Sequence, residues 1–330
     1  MPNLLKRILL VSFFLSIILL FAVFLGLLAG STKIDPADVI RILFNRGDST
    51  PDSIIWHIRF PRVILAALVG ATLSLGGLVF QAILRNPLAE PYILGISGGS
   101  AIGAIIGILM GFARFPGVFF CAFAGSMTTL VFVLFMGSGG AYLKKDSLLL
   151  SGVILNAFCS AIITFLISMS HDHKIHNILF WLMGDLSLAD MRQAGILLLL
   201  VFPCFIMIFR FSNSMNLLVM GKELARTMGV NTTLITLSLL VTTSLMVSAT
   251  VSYCGLLGFV GLVMPHLLRM ILGPDHRVLV PACIIGGGSY MIICDLLART
   301  IPEQGEIPTG VITAMIGAPL FIFLLKRSRK

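Results

Sequence analysis

Three histidines within six residues, His171, His173 and His176, form the densest group in the sequence that could ligate a metal. A short polar loop often carries histidines as solvated side chains, so both readings stand for this segment. The six cysteines show no C-x-x-C spacing and fall mostly inside apolar runs. They read as small apolar residues, with a disulfide between Cys254 and Cys294 as the alternative. No G-x-x-x-x-G-K-[ST] phosphate loop occurs, because Gly221-Lys222 lacks both the earlier glycine and the hydroxyl. No H-E-x-x-H occurs, and the serines are dispersed rather than paired with a base. No carboxylate pair stands in the middle of an apolar run, where a proton- or sodium-coupled carrier often keeps one. Asp295 lies near an outer end, and His266 and Arg269 lie near an inner one. The chain therefore reads as a non-enzyme that binds no cofactor or metal of its own.

The elements that must position these residues are apolar helices. Of the residues, 58% are hydrophobic and 11% charged, against about 25% charged in a soluble domain. A span needs about 20 apolar residues to cross about 30 Å of hydrocarbon. Uncharged runs of that order place spans at Ile8–Ala29, Val63–Leu84 and about Tyr92–Phe112. Two more lie within Phe115–Tyr142 and Ser147–Ser170, and a sixth at about Gln193–Phe209. The run from Val230 to Pro265 is too long for one helix and is broken near Tyr253–Gly258 into two. Val278–Cys294 and Ile307–Leu325 complete ten. The fold class is thus an all-α polytopic membrane protein in one domain, residues 1–330, since helices satisfy their own backbone in lipid. The first run is longer than a signal-peptide core and reads as an uncleaved span.

Charge sets the orientation. With the N-terminus inside, inner segments collect Lys6, Arg7, Arg85, Lys144, Lys145, Arg210, Lys222, Arg226, Arg269, Arg277 and the basic C-terminus. They hold only Glu90, Asp146, Glu223 and Asp275 as acids. This is the positive-inside bias of a multi-pass protein of the cytoplasmic (inner) membrane with both termini cytoplasmic. The net charge of +9 and pI of 9.6 accordingly report contact with the lipid bilayer, not nucleic acid.

Small and polar residues form rows within the spans. Gly95, Gly99, Gly103, Gly107 and Gly111 recur every four residues, which lets helix backbones approach closely. Gly70, Ser74, Gly77 and Gln81 share one helical face. Gly152, Asn156, Ser160 and Thr164 form a row in the fifth span, and Thr309, Thr313 and Gly317 one in the tenth. Such rows either bond to neighbouring helices or line a hydrated path.

The connecting segments carry the specific pattern: Arg59-Phe60-Pro61-Arg62, then Gln81 through Arg85-Asn86-Pro87-Leu88-Ala89-Glu90-Pro91, then Leu94-Gly95-Ile96-Ser97-Gly98-Gly99. Gly258-Phe259-Val260-Gly261 leads to Pro265-His266 and Arg269, and the last span opens Gly305-Glu306-Ile307-Pro308-Thr309-Gly310. In this order, over about residues 56–325, these motifs resemble the FecCD-type permeases. These are the membrane subunits of ATP-binding-cassette importers for iron-siderophores, haem and cobalamin. In that family Gln81, Asn86, Pro87, Pro91, Gly95, Pro265, His266 and Arg269 are motif positions with structural roles.

The longest inner loop, about residues 211–231, contains Gly221-Lys222-Glu223-Leu224-Ala225-Arg226-Thr227-Met228-Gly229. Glycines bracket good helix formers, as in a short amphipathic helix capped by Gly229. By resemblance it is the coupling helix that docks an ATPase. Leu224 and Met228, four apart on one face, would pack into the ATPase, and Glu223 and Arg226 would make polar contacts. The resemblance also implies a homodimer with two separate ATPases, which hold the ATP and magnesium, and an extracytoplasmic substrate-binding protein. Arg59, Arg62 and Arg299 would face outside solvent and pair with that protein's acids, since the guanidinium fork binds carboxylates bidentately. The fifth- and tenth-span rows become candidates for the translocation path. The function implied is import of an iron chelate or cobalamin-like cargo. A secondary carrier driven by an ion gradient is the alternative, and an intramembrane enzyme a third reading.

Overall fold

The computed structural model describes residues 2–328 apart from 31, 33, 46, 48, 140, 141, 144, 303 and 304. Helix α1 (Pro2–Leu28) leads to two short helices, α2 (Pro36–Phe44) and α3 (Thr50–Ser53). A wider-turned segment, Ile54–Arg59, feeds α4 (Phe60–Leu84). A single tight turn, Pro91–Leu94, precedes α5 (Ile96–Leu109). Then follow α6 (Phe119–Gly137), α7 (Lys145–Ser168), α8 (Asp172–Met183) and α9 (Met191–Arg210). Helices α10 (Ser212–Met220) and α11 (Lys222–Thr227) form the long loop before α12 (Thr232–Cys254), α13 (Val260–Leu272), α14 (His276–Thr300) and α15 (Thr309–Ser328).

Among the described residues seven helices are long and apolar enough to cross a membrane. The shorter apolar helices α5, α13 and Thr309–Leu324 of α15 bring the spans to the expected ten. The break foreseen near Tyr253–Gly258 falls between α12 and α13. The eighth helix begins at Asp172, and its Trp181 is buried inside the protein. Lys144, Arg329 and Lys330 of the inner charge set lie outside the described residues.

Helices α4, α12 and α14 make the centre, and their most apolar windows are largely buried. Glycine decides how closely they approach. A side chain at Gly70 would overlap the Gly287 carbonyl, and one at Gly77 the Gly261 carbonyl. The single face Gly70–Ser74–Gly77–Gln81 therefore seats α14 toward one end and α13 toward the other. The α5 glycine row does the same against α6: Gly103 faces the Cys121 carbonyl and Gly107 faces Val118. Helices α1 and α7 lie at the edge of this core, and few residues of their apolar windows are buried.

Helix α13 has 13 residues, about 20 Å at 1.5 Å per residue, and cannot cross alone. Irregular backbone at membrane depth is tolerated where protein buries it. Here two irregular segments satisfy each other. The Tyr92 hydroxyl accepts from Leu257 N at 3.1 Å and donates to Leu257 O at 3.2 Å. A Glu90 carboxylate oxygen accepts from Phe259 N at 3.2 Å. Phe259 takes the left-handed conformation (φ 69°) at the start of α13.

Candidate functional site

Two polar assemblies stand at opposite ends of the bundle. At one end the C-terminus of α1, the N-terminus of α4, the C-terminus of α14 and the loop before α15 meet. Arg62 grips Asp295 through Nε, 3.0 Å from Oδ1, and Nη2, 2.9 Å from Oδ1. Its Nη1 donates to Glu306 Oε2 at 2.7 Å. Arg299 approaches the other Asp295 oxygen at 3.1 Å and donates to Gly26 O at 3.2 Å. Thr309 donates to Asp295 Oδ1 at 3.3 Å. Arg59 donates to the carbonyls of Leu27 and Leu28, both at 2.7 Å, and to Thr32 O. It thereby satisfies the unpaired carbonyls that every helix C-terminus leaves.

Sequence reasoning expected Arg59, Arg62 and Arg299 to face solvent, and in this respect it is corrected. They are 3%, 4% and 9% exposed. The cause is Asp295, which is buried and demands cations, together with the open carbonyls at the C-terminus of α1, which demand donors. The exposed member of the cluster is Glu306, with 43% of its side chain accessible. Neither carboxylate was assigned a role from the sequence. The signal was present: one acid on α14 and one in the loop before α15, each beside a stretch poor in charge.

On the same end, Arg114 binds Asp185 through Oδ2 at 2.7 Å and through its carbonyl at 2.9 Å. Asp185 N in turn donates to Cys254 O at 2.8 Å, which ties the segment before α6, the α8–α9 loop and the end of α12 together. Partial burial works against ionisation of Asp185, yet the Arg114 bond and charge and the Ser187 N–H hold its carboxyl below the usual range. His173 and His176 line a cavity of about 520 Å³ beside Arg114. Among the described residues no three metal-ligating side chains converge. All six cysteines are free thiols, so Cys254 and Cys294 are not joined.

At the other end lies the long loop. Gly221 (φ 143°) turns the chain out of α10, and Gly229 (φ 81°) ends α11. Ala225 is fully buried while Leu224 and Met228 are 47% and 62% exposed. Arg226 Nε donates to Thr232 Oγ1 at 3.1 Å, and the Asn231 side chain caps α12 by accepting from Leu234 N at 3.1 Å. The loop is thus held firmly while an apolar pair points outward with Glu223. Asp275 caps α14 nearby. The Arg277 side chain foremost, with Asn216 and the Arg277 N–H, holds its carboxyl well below the ordinary range.

The motif positions are structural here. Gln81 accepts from Arg269 Nη1 at 3.0 Å and donates to Gly261 O at 3.4 Å, joining two motifs across α4 and α13. Asn86 Oδ1 accepts from Leu88 N at 2.9 Å, an Asx turn ahead of Pro91. Pro87 lines the cavity at the C-terminal end of α4. Gly95 (φ 75°) permits the turn into α5. Pro265 lies inside α13, and His266 packs edge-on to Phe321 at 5.8 Å.

The two polar rows separate. On α7, Gly152 packs on the Ile93 carbonyl and Asn156 donates to Tyr92 O at 3.2 Å. Ser160 and Thr164 are exposed, with their hydroxyls bonded back to the preceding turn. On α15, Thr309, Thr313 and Gly317 are buried within the chain. They form no lining surface, because smallness there lets α15 seat closely: Gly317 lies on Phe259, and Gly310 on the Met183 carbonyl.

Ten apolar helices, a glycine-bracketed loop at one end of the bundle and a buried ion cluster at the other define a polytopic helical permease. The model of the FecCD transport family matches residues 18–327, and the chain belongs to that family. It is 39% identical over 319 residues to the vitamin B12 import system permease protein BtuC of Salmonella arizonae, covering 96% of this chain and 94% of the relative. The BtuC of Escherichia coli O9:H4 is 37% identical over 318 residues, with the same coverage. Among solved structures, a metal-chelate type ABC transporter in an inward-facing conformation superposes with a TM-score of 0.84 at 31% identity, covering 96% and 98% of the two chains. The PsaBC complex of Streptococcus pneumoniae with a Fab shares the fold, with a TM-score of 0.58 at 15% identity over 83% and 93%. The protein is a permease subunit of a binding-protein-dependent ABC importer, and ATP hydrolysis belongs to a partner ATPase.

Proposed function

We propose that two copies of this chain form the membrane channel of an importer for a large metal chelate, with a corrinoid as first candidate and a ferric siderophore or haem as the other members of the class. What supports the cargo class most is the match to vitamin B12 import permeases along 96% of the chain. The positive-inside charge distribution orients both termini and the α10–α11 loop toward the cytoplasm. Each coupling loop docks one ATPase, with Leu224 and Met228 entering its surface. The binding protein docks on the outer end, where its carboxylates replace Glu306 on Arg62 and reach Arg59 and Arg299 as the mouth opens. The path runs along the two-fold axis, with Ser160 and Thr164 of α7 on its wall.

The test is uptake in proteoliposomes that hold this permease with its ATPase and binding protein. Labelled cobalamin, ferric siderophores, haem and molybdate are offered with and without ATP on the nucleotide-accessible side. ATP-dependent accumulation of cobalamin is the expected result. ATP-dependent uptake of molybdate alone would remove the chelate assignment, and uptake that ignores ATP but follows an ion gradient would remove the mechanism.

A further inference from the structure

A cavity of about 790 Å³ opens at the inner end, between the start of α1, the end of α4, α10 and the turn into α14. Four guanidinium groups line it: Arg7, Arg85, Arg269 and Arg277. One carboxylate, Asp275, faces them, and it is already bound by Arg277 at 2.7 Å. Arg269 is half-buried and meets only the neutral amide of Gln81. Arg7 is bonded to the Leu272 carbonyl. Among the described residues no ion pair involves Arg7, Arg85 or Arg269. Three arginines thus share one recess whose single carboxylate is already paired with a fourth, and leaving the half-buried charge of Arg269 unpaired is costly.

From this juxtaposition we infer that the recess binds the phosphate of an anionic phospholipid from the inner leaflet. Arginine forks suit phosphate oxygens. The lining is mixed, with Leu217 and Val219 beside the arginines, as a glycerol phosphate with emerging acyl chains requires. One wall is α1, whose apolar window is only 6% buried. Its exposed Leu10, Phe14 and Phe21 continue from Arg7 as a track for acyl chains. The opposite wall is α10, which leads directly into the coupling loop, so an occupied recess braces the element that meets the ATPase. The inference rests on the orientation proposed above and is independent of the cargo.

The experiment is native mass spectrometry of the detergent-purified permease–ATPase complex titrated with phosphatidylglycerol, phosphatidylcholine or inorganic phosphate. Wild type is expected to retain phosphatidylglycerol in preference to phosphatidylcholine. Arg85→Gln and Arg7→Gln should each weaken it about tenfold, the equivalent of one charge-assisted hydrogen bond. Arg210→Gln, an inner charge outside the recess, should not. Both of the informative arginines are exposed, so these variants fold. Equal retention in all variants would overturn the site. Binding of free phosphate as tight as that of the lipid would overturn the lipid assignment in favour of a solute. Loss of the lipid on addition of ATPase to the isolated permease would overturn it in favour of the ATPase as the arginines' partner. Transport assays do not enter, so failure here and failure of the importer reading are separate results.

Discussion

Asp295 answers two arginines and a threonine while 1% exposed. Removing one partner of a buried charge pair costs about 3–5 kcal/mol because the other charge is left uncompensated. Asp295→Ala should therefore lower the stability of the purified complex by that order, read as a fall in thermal midpoint, and an unchanged midpoint would mean the cluster is solvated in the working state. Glu306 is different, being partly exposed and touching only one arginine. Glu306→Gln should leave the fold intact and tighten binding-protein docking, because the internal competitor for Arg62 loses its charge. Weaker docking measured by surface plasmon resonance at low salt would reject the exchange.

Asp275 supplies a pH test at the same scale. Its folded pKa is depressed by Arg277 and Asn216, against an ordinary value of about 3.9. Its contribution is therefore fully present above that ordinary value and is lost as pH falls through the depressed folded value. Asp275→Asn should lower the thermal midpoint equally at pH 7 and pH 5, with wild type and variant converging only in stronger acid. A difference already gone at pH 5 contradicts the assignment.

At the scale of elements, the short helix α11 is readable in sequence because its glycines and helix formers act locally. Gly221 and Gly229 both take positive φ, a backbone choice independent of distant partners. Replacing Glu223 and Leu224 with alanine should abolish ATPase co-purification and uptake while the permease still folds, since both side chains are exposed. Normal uptake by that variant would remove the coupling role. The glycine faces were equally legible as close contacts, but their partners were not. Gly77→Ala would push a methyl group into the Gly261 carbonyl. It should cost about 1–3 kcal/mol by overpacking, checked by the yield and melting of the variant. The α15 row shows the limit of this reasoning: a small-polar stripe has the same spacing whether it lines water or seats a helix, and Gly317 on Phe259 decides for seating.

At the scale of the molecule, α7 is the span whose surface most needs a neighbour. Its apolar window is 17% buried, and it carries hydroxyls that lipid does not favour. In a background without native cysteines, Ser160→Cys should form an intermolecular disulfide under mild oxidation, placing α7 at the two-fold axis. Monomer alone on the gel, with transport intact, would put the dimer interface elsewhere.

The class of protein, the ten spans, the break between α12 and α13 and the short glycine-bracketed helix α11 were all legible in the amino-acid sequence. Each depends on hydropathy, charge asymmetry or backbone preference over a few residues, and the ordered motifs carried the family. Tertiary structure decided what the charges do. Arg62 and Asp295 are 233 residues apart, and no local pattern says that a surface-seeming arginine turns inward to meet a buried carboxylate. It likewise decided that Tyr92 and Glu90 satisfy the irregular backbone at Leu257 and Phe259. Local preference fixes where helices begin and end, but the cost of an unpaired buried charge or amide is settled only by whichever group the packed bundle brings beside it.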